Sequence, residues 1–203
     1  MDATTYKFWL SIIAMMLTVA AFLPYILSIL RGQIRPHIFS WLIWGLNTSV
    51  AFFAAIQTGG GIGSWVIGFS ALVTWLIAAL AYANRADVIA TPADRWFFFA
   101  ALAAMPLWVW LNDPLWAIWL VTIIELLGFG PTLRKTWFKP YSESLVFSSL
   151  LVVRNILVIA ALERYTTTTV LFPAAMTVAC LALVAMMVWR RRMTTIANAS
   201  LQI

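Results

Sequence analysis

The chain has 203 residues but very little charge, one histidine and one cysteine. Charged residues make up 10% of the sequence and hydrophobic residues 64%, whereas soluble globular proteins have about 25% charged and about 45–50% apolar residues. This composition excludes a water-soluble domain, a disordered chain and a disulfide-rich secreted scaffold. At about 20 apolar residues per membrane helix, the sequence is apolar enough for roughly six or seven transmembrane spans.

The scarcity of His, Cys and Lys argues against several functions within a membrane. One His and one Cys cannot build a zinc site, and no cluster of His, Asp or Ser at catalytic spacing indicates an enzyme. A retinal protein needs a lysine in its last span, but the lysines are Lys7, Lys135 and Lys139. Cys180 lies in an apolar run and is predicted to be a buried thiol. We therefore expect no catalytic activity, no metal ion and no cofactor.

Seven apolar runs separated by polar breaks predict an all-α integral membrane protein with seven transmembrane helices. The breaks include RGQIR, TGGGIG, NRADVIATPAD and RKTWFKPYSE. Pro106 and Pro173 fall inside predicted spans, where proline is tolerated. The predicted spans are Phe8–Leu30, Pro36–Gln57, Ile62–Ala83, Arg95–Leu111, Pro114–Arg134, Ser142–Glu163 and Thr167–Trp189.

Basic residues are concentrated on one side of the predicted spans. The connections after spans 1, 3 and 5, together with the C-terminal tail, contain ten Lys and Arg residues, whereas the N-terminus and the other connections contain two. Because cytoplasmic loops are enriched in Lys and Arg, this bias predicts an outside N-terminus and a cytoplasmic C-terminus. The same bias explains the net charge of +6 by membrane topology, so we expect a lipid bilayer and no nucleic acid as partner.

Two segments of the chain resemble each other. PYILSILRGQIRPHIFSWLIWGLN begins at Pro24, and PTLRKTWFKPYSESLVFSSLLVVRN begins at Pro131. With one extra residue in the second loop, Asn47 aligns with Asn155. An odd number of linking spans gives a parallel repeat, and such repeats build transporters with the site at the repeat interface. The predicted units are a three-helix bundle in 1–83, a linker helix in 84–113, a second three-helix bundle in 114–193 and a cytoplasmic tail in 194–203.

This 3+1+3 layout, with a proline near the end of the first helix of each triplet, resembles the PQ-loop superfamily, which includes the SWEET sugar transporters, the half-size SemiSWEETs, lysosomal amino-acid exporters and, by fold, the KDEL retrieval receptor. The resemblance implies a carrier that works by alternating access, with the N-out, C-in orientation of SWEETs. The family's Pro-Gln pair reads Pro24-Tyr25 and Pro131-Thr132 here, so both glutamines are absent. The segments RPHIFSWLIWG and PTLRKTW also resemble KPH-F-SWLIWG and PTFRKSW-type segments of bacterial seven-helix proteins, which implies a bacterial inner-membrane location.

Asn47 and Asn155 form the first pair of candidate site residues. Each lies about 10–12 residues into its predicted span, which corresponds to mid-depth at a rise of about 1.5 Å per residue. A side-chain amide offers two donors and one acceptor, and these groups suit a neutral polar solute. The alternative is a structural contact between helices, worth about 0.6 kcal/mol. Both interpretations remain open from the sequence.

Span 2 carries an aromatic stripe that ends at one of these amides. His37, Trp41, Trp44 and Asn47 follow spacings of four, three and three, and Thr48 is adjacent. Such spacings place the side chains along one helical face. Flat aromatic walls with a few hydrogen-bonding groups are typical of a pathway for a small ligand. Ordinary core packing, or anchoring of Trp41 at the membrane interface, is the alternative.

Glu125 and Arg154 are ionisable residues predicted near the middle of the membrane. A lone charge there costs about 2.5–3.5 kcal/mol on insertion scales, so mutual pairing of the two is the simplest expectation. The functional alternatives are that Glu125 couples transport to protons, or that the Arg154 guanidinium grips an anionic ligand. In the repeat alignment, Thr18 stands in place of Glu125 and Leu46 in place of Arg154.

Pro24 and Pro131 are candidate hinges, because proline lacks an N–H group and weakens the preceding helical turn. The sequence as a whole favours a membrane carrier, either a facilitator or a proton-coupled one, of a small polar solute. Asn47, Asn155, Trp41, Trp44 and Arg154 are its candidate binding residues. The alternative is a non-transporting membrane receptor or assembly factor on the same scaffold. We expect a monomer or a homo-oligomer.

Overall fold

A computed structural model describes residues 3–33, 38–83, 92–141 and 143–200, apart from a few side chains within those ranges. The described residues form seven helices and no strand, which confirms the prediction of an all-helical chain with seven helices. The helices are α1 (Ala3–Leu30), α2 (Ile38–Gln57), α3 (Ile62–Ala83), α4 (Pro92–Leu111), α5 (Pro114–Phe138), α6 (Leu145–Ala161) and α7 (Thr167–Ser200).

Several helices extend beyond their predicted spans, and α6 is shorter than predicted; residues 36–37 of the second predicted span lie outside the described residues. α5 continues to Phe138 and α7 to Ser200, so basic segments that we predicted as a loop and a tail are largely helical. Lys, Arg and Ala are good helix formers, so a charged residue can end an apolar span without ending the helix. α6 begins later than predicted because Ser144 caps it: its Oγ accepts a hydrogen bond from the Phe147 N–H at 3.2 Å.

Five of the described helices are long and apolar enough to cross a membrane, namely α1, α2, α3, α5 and α7. α4 and α6 contain shorter apolar segments, Phe98–Leu111 and Leu145–Ala161. The 17 residues of α6 extend about 26 Å at about 1.5 Å per residue, close to the roughly 30 Å of hydrocarbon in a bilayer. Large apolar side chains cover the outside of the helices, as a lipid environment requires. Examples are Leu72, Trp96, Trp110 and Val178.

The third helix of each predicted triplet packs against the other two. α3 packs against α1 and α2, and α7 packs against α5 and α6. Between the triplets, α1 and α3 pack against α6, while α2 packs against α5 and α7. α4 packs against α5 and α2. The core at the centre of these contacts consists of small and branched apolar side chains, including Ala14, Val50, Val66, Ile67, Ala117, Ile118, Val121 and Val158.

One end of the bundle is closed by the turn between α2 and α3, residues 58–61, and the connection between α6 and α7, residues 162–166. The Glu163 N–H donates to the Gly60 carbonyl at 3.0 Å, and Glu163 Oε1 accepts from the Ile62 N–H at 3.3 Å. Lys7 Nζ, near the start of α1, donates to the Leu162 carbonyl at 2.7 Å. We call this contact the closed end.

Gly63 lets two backbones meet at the closed end. A Cβ atom added to Gly63 would lie 2.7 Å from the carbonyl carbon of Ala161 and 2.7 Å from the nitrogen of Leu162. No side chain fits at those distances from a backbone, so glycine is required for the start of α3 to approach the end of α6. The closed end therefore depends on a missing side chain as well as on hydrogen bonds.

Candidate functional site

A cavity of about 210 Å³ lies inside the bundle, between helices of both triplets. Both polar or ionisable side chains and large apolar side chains line it. The polar lining consists of Thr48, Ser70, Thr74, Glu125, Thr132, Glu143, Ser148, Arg154 and Asn155. The apolar lining consists of Phe22, Trp41, Trp44, Phe129, Phe147, Leu151, Phe172, Met176 and Leu183, with Cys180 beside them.

Glu125 enters this cavity from α5 and has one described hydrogen-bond partner. Asn47 Nδ2, on α2, donates to Glu125 Oε2 at 2.8 Å. Asn47 is completely buried and does not line the cavity; its Oδ1 has no partner among the described residues. Its position behind Glu125 differs from the predicted role of Asn47 as a ligand-contacting residue. Its contact with Glu125 indicates that it orients the carboxylate.

Arg154 enters the cavity from α6 and is held by neutral groups on three helices. Its Nε donates to Thr18 Oγ1 at 3.3 Å, and one Nη2–H donates to the Val66 carbonyl at 3.1 Å. Nη2 also donates to Ser70 Oγ, and Nη1 donates to Asn155 Oδ1 at 2.5 Å. Four of its five N–H groups are thereby used.

These contacts correct the expectation of a mutual ion pair. Among the described residues, Glu125 bonds to Asn47, and Arg154 bonds to Thr18, Ser70, Asn155 and the Val66 carbonyl. The pairing fails because each side chain reaches closer polar groups on neighbouring helices. The same contacts leave no free guanidinium fork, since only one N–H on Nη1 remains. Arg154 therefore cannot hold an anionic ligand through two N–H groups in this arrangement.

Asn155 is one of the predicted residues that lines the cavity. Because arginine has only donors, the Asn155 atom that faces Nη1 is the oxygen. The described hydrogen bonds leave the Asn155 Nδ2 group without a protein partner. Arg154 therefore turns the two amide N–H groups of Asn155 away from itself, and they are available to a ligand in the cavity.

Trp41 and Trp44 line the same cavity, and Thr48 continues their face of α2. Their rings meet edge to face with centroids 5.0 Å apart. Trp41 also contacts Tyr25 at 5.3 Å between centroids, and Phe22 contacts Phe147 at 5.2 Å. These aromatic rings stand where the cavity meets a second, larger one.

The second cavity has a volume of about 560 Å³ and opens at the surface. Pro24, Ser144 and Val146 line it and are exposed. It shares Trp41, Trp44, Thr132, Glu143 and Phe147 with the first cavity, so the two are neighbours. We call this side, at the Pro24 and Glu143 end of the bundle, the open end.

The two candidate hinge prolines lie within helices. α1 runs through Pro24 without a break, and Ser28 Oγ donates to the Pro24 carbonyl at 2.8 Å. Position 131 lies inside α5, and the side chain of Pro131 is outside the described residues. His37, the start of the predicted stripe, also lies outside the described residues.

Three groups that sequence reasoning missed hold the Arg154 guanidinium: the hydroxyls of Thr18 and Ser70 and the carbonyl of Val66. Thr18 carried a weak signal, because it aligns with Glu125 in the proposed repeat. Ser70 and Val66 carried none, since small hydroxyl and apolar residues are common in membrane helices. Cys180 also lines the cavity.

The described residues contain no group of three or more His, Cys, Asp or Glu side chains that could hold a metal ion. The cavity thus offers hydrogen-bonding groups, the charged side chains of Glu125, Glu143 and Arg154, and aromatic walls. In comparisons with known proteins, no family model, no curated protein and no solved structure matches the chain. The resemblance to the PQ-loop superfamily therefore stays a prediction.

Proposed function

We propose that the protein is a membrane carrier of a small polar solute, which it moves by alternating access between two three-helix units, residues 1–83 and 114–193. The observation that carries this proposal is the cavity that presents Glu125, Arg154 and Asn155 inside a bundle of apolar helices. Polar side chains in such a place are costly and mark solute or ion pathways. We propose no catalytic role and no cofactor.

The pairing of the helices supports two related units. If α1, α2 and α3 are exchanged for α5, α6 and α7, the contact of α1 with α6 becomes that of α5 with α2. The contact of α3 with α6 likewise becomes that of α7 with α2. The aligned positions Thr18 and Glu125 each accept a hydrogen bond from the other unit, Thr18 from Arg154 on α6 and Glu125 from Asn47 on α2, although the two donors are not aligned.

The difference between the two ends supports alternating access. A carrier must expose its site to one side while closing the other, and motion of one repeat against the other exchanges these states. Residues 58–61 contact residues 162–166 at one end of the bundle, and the cavity adjoins the open end on the other side. The basic loops suggest that the open end faces the cytoplasm of a bacterial cell and that the N-terminus lies outside.

Transport in reconstituted vesicles tests this proposal. We expect purified protein in proteoliposomes to exchange at least one solute from a panel of sugars, amino acids, nucleosides and vitamin precursors. Asn155→Ala should abolish the exchange, because it removes the free amide donors of the cavity. Thr122→Val is the matched control, since Thr122 is buried on α5 and its hydroxyl has no described partner.

The melting temperature of each variant shows whether it is folded. Folded protein that exchanges no solute would contradict the carrier. A chain that instead retains cytoplasmic proteins, with defects that map to residues 134–143, would indicate a receptor or assembly factor.

A further inference from the structure

We infer that the solute is a small zwitterion, with an amine cation at one end and a carboxylate or similar anion at the other. The inference rests on the proposed function, because it names the solute class of the same cavity. Its basis is the juxtaposition of the Glu125 carboxylate and the Arg154 guanidinium, which line one cavity without pairing with each other.

Glu125 supplies the group that would bind the cation. Its carboxylate has a single described hydrogen bond, from Asn47 to Oε2, so further acceptor positions remain for a ligand. Trp41 and Trp44 line the same cavity, and aromatic faces attract ammonium groups. An amine placed between these rings and Glu125 would meet both kinds of contact.

Asn155 and Arg154 supply the group that would bind the anion. The Asn155 amide is oriented by Arg154, so both Nδ2 hydrogens are left for a ligand, together with one N–H of Arg154 Nη1. The positive charge of Arg154 has no carboxylate partner among its described contacts. A ligand carboxylate near Asn155 would therefore be held by donors and by charge.

Glu125 and Arg154 are held in different parts of the cavity wall by different helices. Glu125 on α5 is bonded to α2, whereas Arg154 on α6 is bonded to α1 and α3. A neutral polyol would leave both charges without a counter-charge, and a singly charged ligand would leave one. A zwitterion neutralises both. The volume of about 210 Å³ favours a small solute, because drug-sized ligands occupy pockets of about 300–1,000 Å³.

Glu143 is a further carboxylate of this cavity, on the side shared with the second cavity. It has interactions of its own within the protein. Its place at the entrance would attract the amine end of an approaching solute, and it does not replace Glu125 in the interior.

A thermal-shift series on the full chain in detergent tests the inference. The probes are alanine and leucine, their methyl esters, which carry only the cation, and their N-acetyl derivatives, which carry only the anion. Glucose and glycerol serve as neutral polyols. We expect at least one zwitterion to raise the melting temperature saturably. Its ester and its N-acetyl derivative should bind at least about tenfold more weakly, which corresponds to about 1.4 kcal/mol.

Two variants divide the site into its halves. Glu125→Gln keeps the shape and should weaken the zwitterion about tenfold while leaving the affinity for the N-acetyl derivative unchanged. Asn155→Asp keeps the acceptor for Arg154 but removes the amide donors, so it should weaken the zwitterion and spare the ester. Thr122→Val, one turn before Glu125 on α5, should change neither affinity.

If a polyol or a singly charged analogue binds as tightly as the zwitterions or more tightly, the inference of a zwitterionic solute is wrong, but the proposed carrier function is unaffected. Absence of any shift with folded protein, together with absence of exchange in proteoliposomes, would overturn both. If either variant fails to fold, the ranking of the probes on the unaltered chain still decides between these outcomes.

Discussion

At the closed end, residues 58–61 lie directly against residues 162–166, whereas at the open end Pro24 and Val146 border a cavity of about 560 Å³. At the closed end the Glu163 N–H donates to the Gly60 carbonyl, and Gly63 allows the backbones of α3 and α6 to approach each other. The open end has a cavity in place of such a contact. The comparison teaches that closure here requires two backbones to meet, so the closed end should be sensitive to added volume and insensitive to changes of charge.

The largest effect is expected from Gly63→Val. The added side chain would collide with the backbone of Ala161 and Leu162 in the arrangement described here, and separation of α3 from α6 would relieve the collision. Overpacking costs about 1–3 kcal/mol, which converts to a shift of roughly 5- to 150-fold toward an open arrangement. The readout is Cys180, the only cysteine of the chain, which lines the cavity. Its labelling by a small impermeant thiol reagent from the closed-end side should rise by such a factor.

Vesicles that contain the protein in opposite orientations expose either the closed end or the open end to the thiol reagent. Gly130→Ala is the control, because a Cβ atom at Gly130 would have nothing within 4 Å. Equal labelling in Gly63→Val and in the unaltered chain, with both folded, would mean that the contact at residue 63 does not control access.

The next largest effect is expected from Val146→Trp, which adds volume at the open end. Val146 lines the second cavity and is 69% exposed, so the larger ring would fill the opening without straining the core. Labelling of Cys180 from the open-end side should fall severalfold, with little change in melting temperature. Val153→Trp, exposed elsewhere on α6, should leave the labelling as it was.

A smaller effect is expected from Ser144→Ala at the start of α6. The change removes the hydrogen bond from the Phe147 N–H to the Ser144 hydroxyl, and loss of such a cap costs about 1 kcal/mol. The melting temperature in detergent should fall accordingly. Ser144→Asp keeps an acceptor at the same position and should restore the stability. A fall of the same size in both variants would show that the cap is not the cause.

The smallest effect is expected from Glu163→Gln at the closed end. Gln keeps an oxygen that can accept from the Ile62 N–H, and the bond from the Glu163 N–H to the Gly60 carbonyl involves only backbone. Glu163 is exposed, so the free energy of unfolding should stay within about 0.5 kcal/mol. Labelling of Cys180 should also be unchanged. A change as large as that of Gly63→Val would mean that charge, and not backbone approach, holds the closed end.

Hydropathy and turn residues predicted the helices well because each is a local property of the chain. The bounds of α3 agree at both ends with the predicted Ile62–Ala83. The extensions of α5 and α7 were missed because Arg134 and Arg190 end an apolar run, and a hydropathy pattern cannot distinguish the end of a run from the end of a helix.

The contacts of the site residues were harder to predict than the helices. The sequence predicted that Glu125, Arg154 and Asn155 lie well inside their helices, and all three are buried. Their partners could not be predicted, because these depend on how each helix is rotated against its neighbours. The wrong expectation of an ion pair has this cause: Ser70 and Thr18 look like ordinary small residues until the helices are packed together.

The network around Arg154 also bears on how the chain is made. The cation lies in α6, the shortest of the described helices, and a buried cation opposes insertion of such a segment by about 2.5–3.5 kcal/mol. Thr18, Val66 and Ser70, which accept its hydrogen bonds, all precede it in the sequence. When the ribosome releases α6, these three acceptors are already synthesised, so α1 and α3 form the surface against which α6 packs.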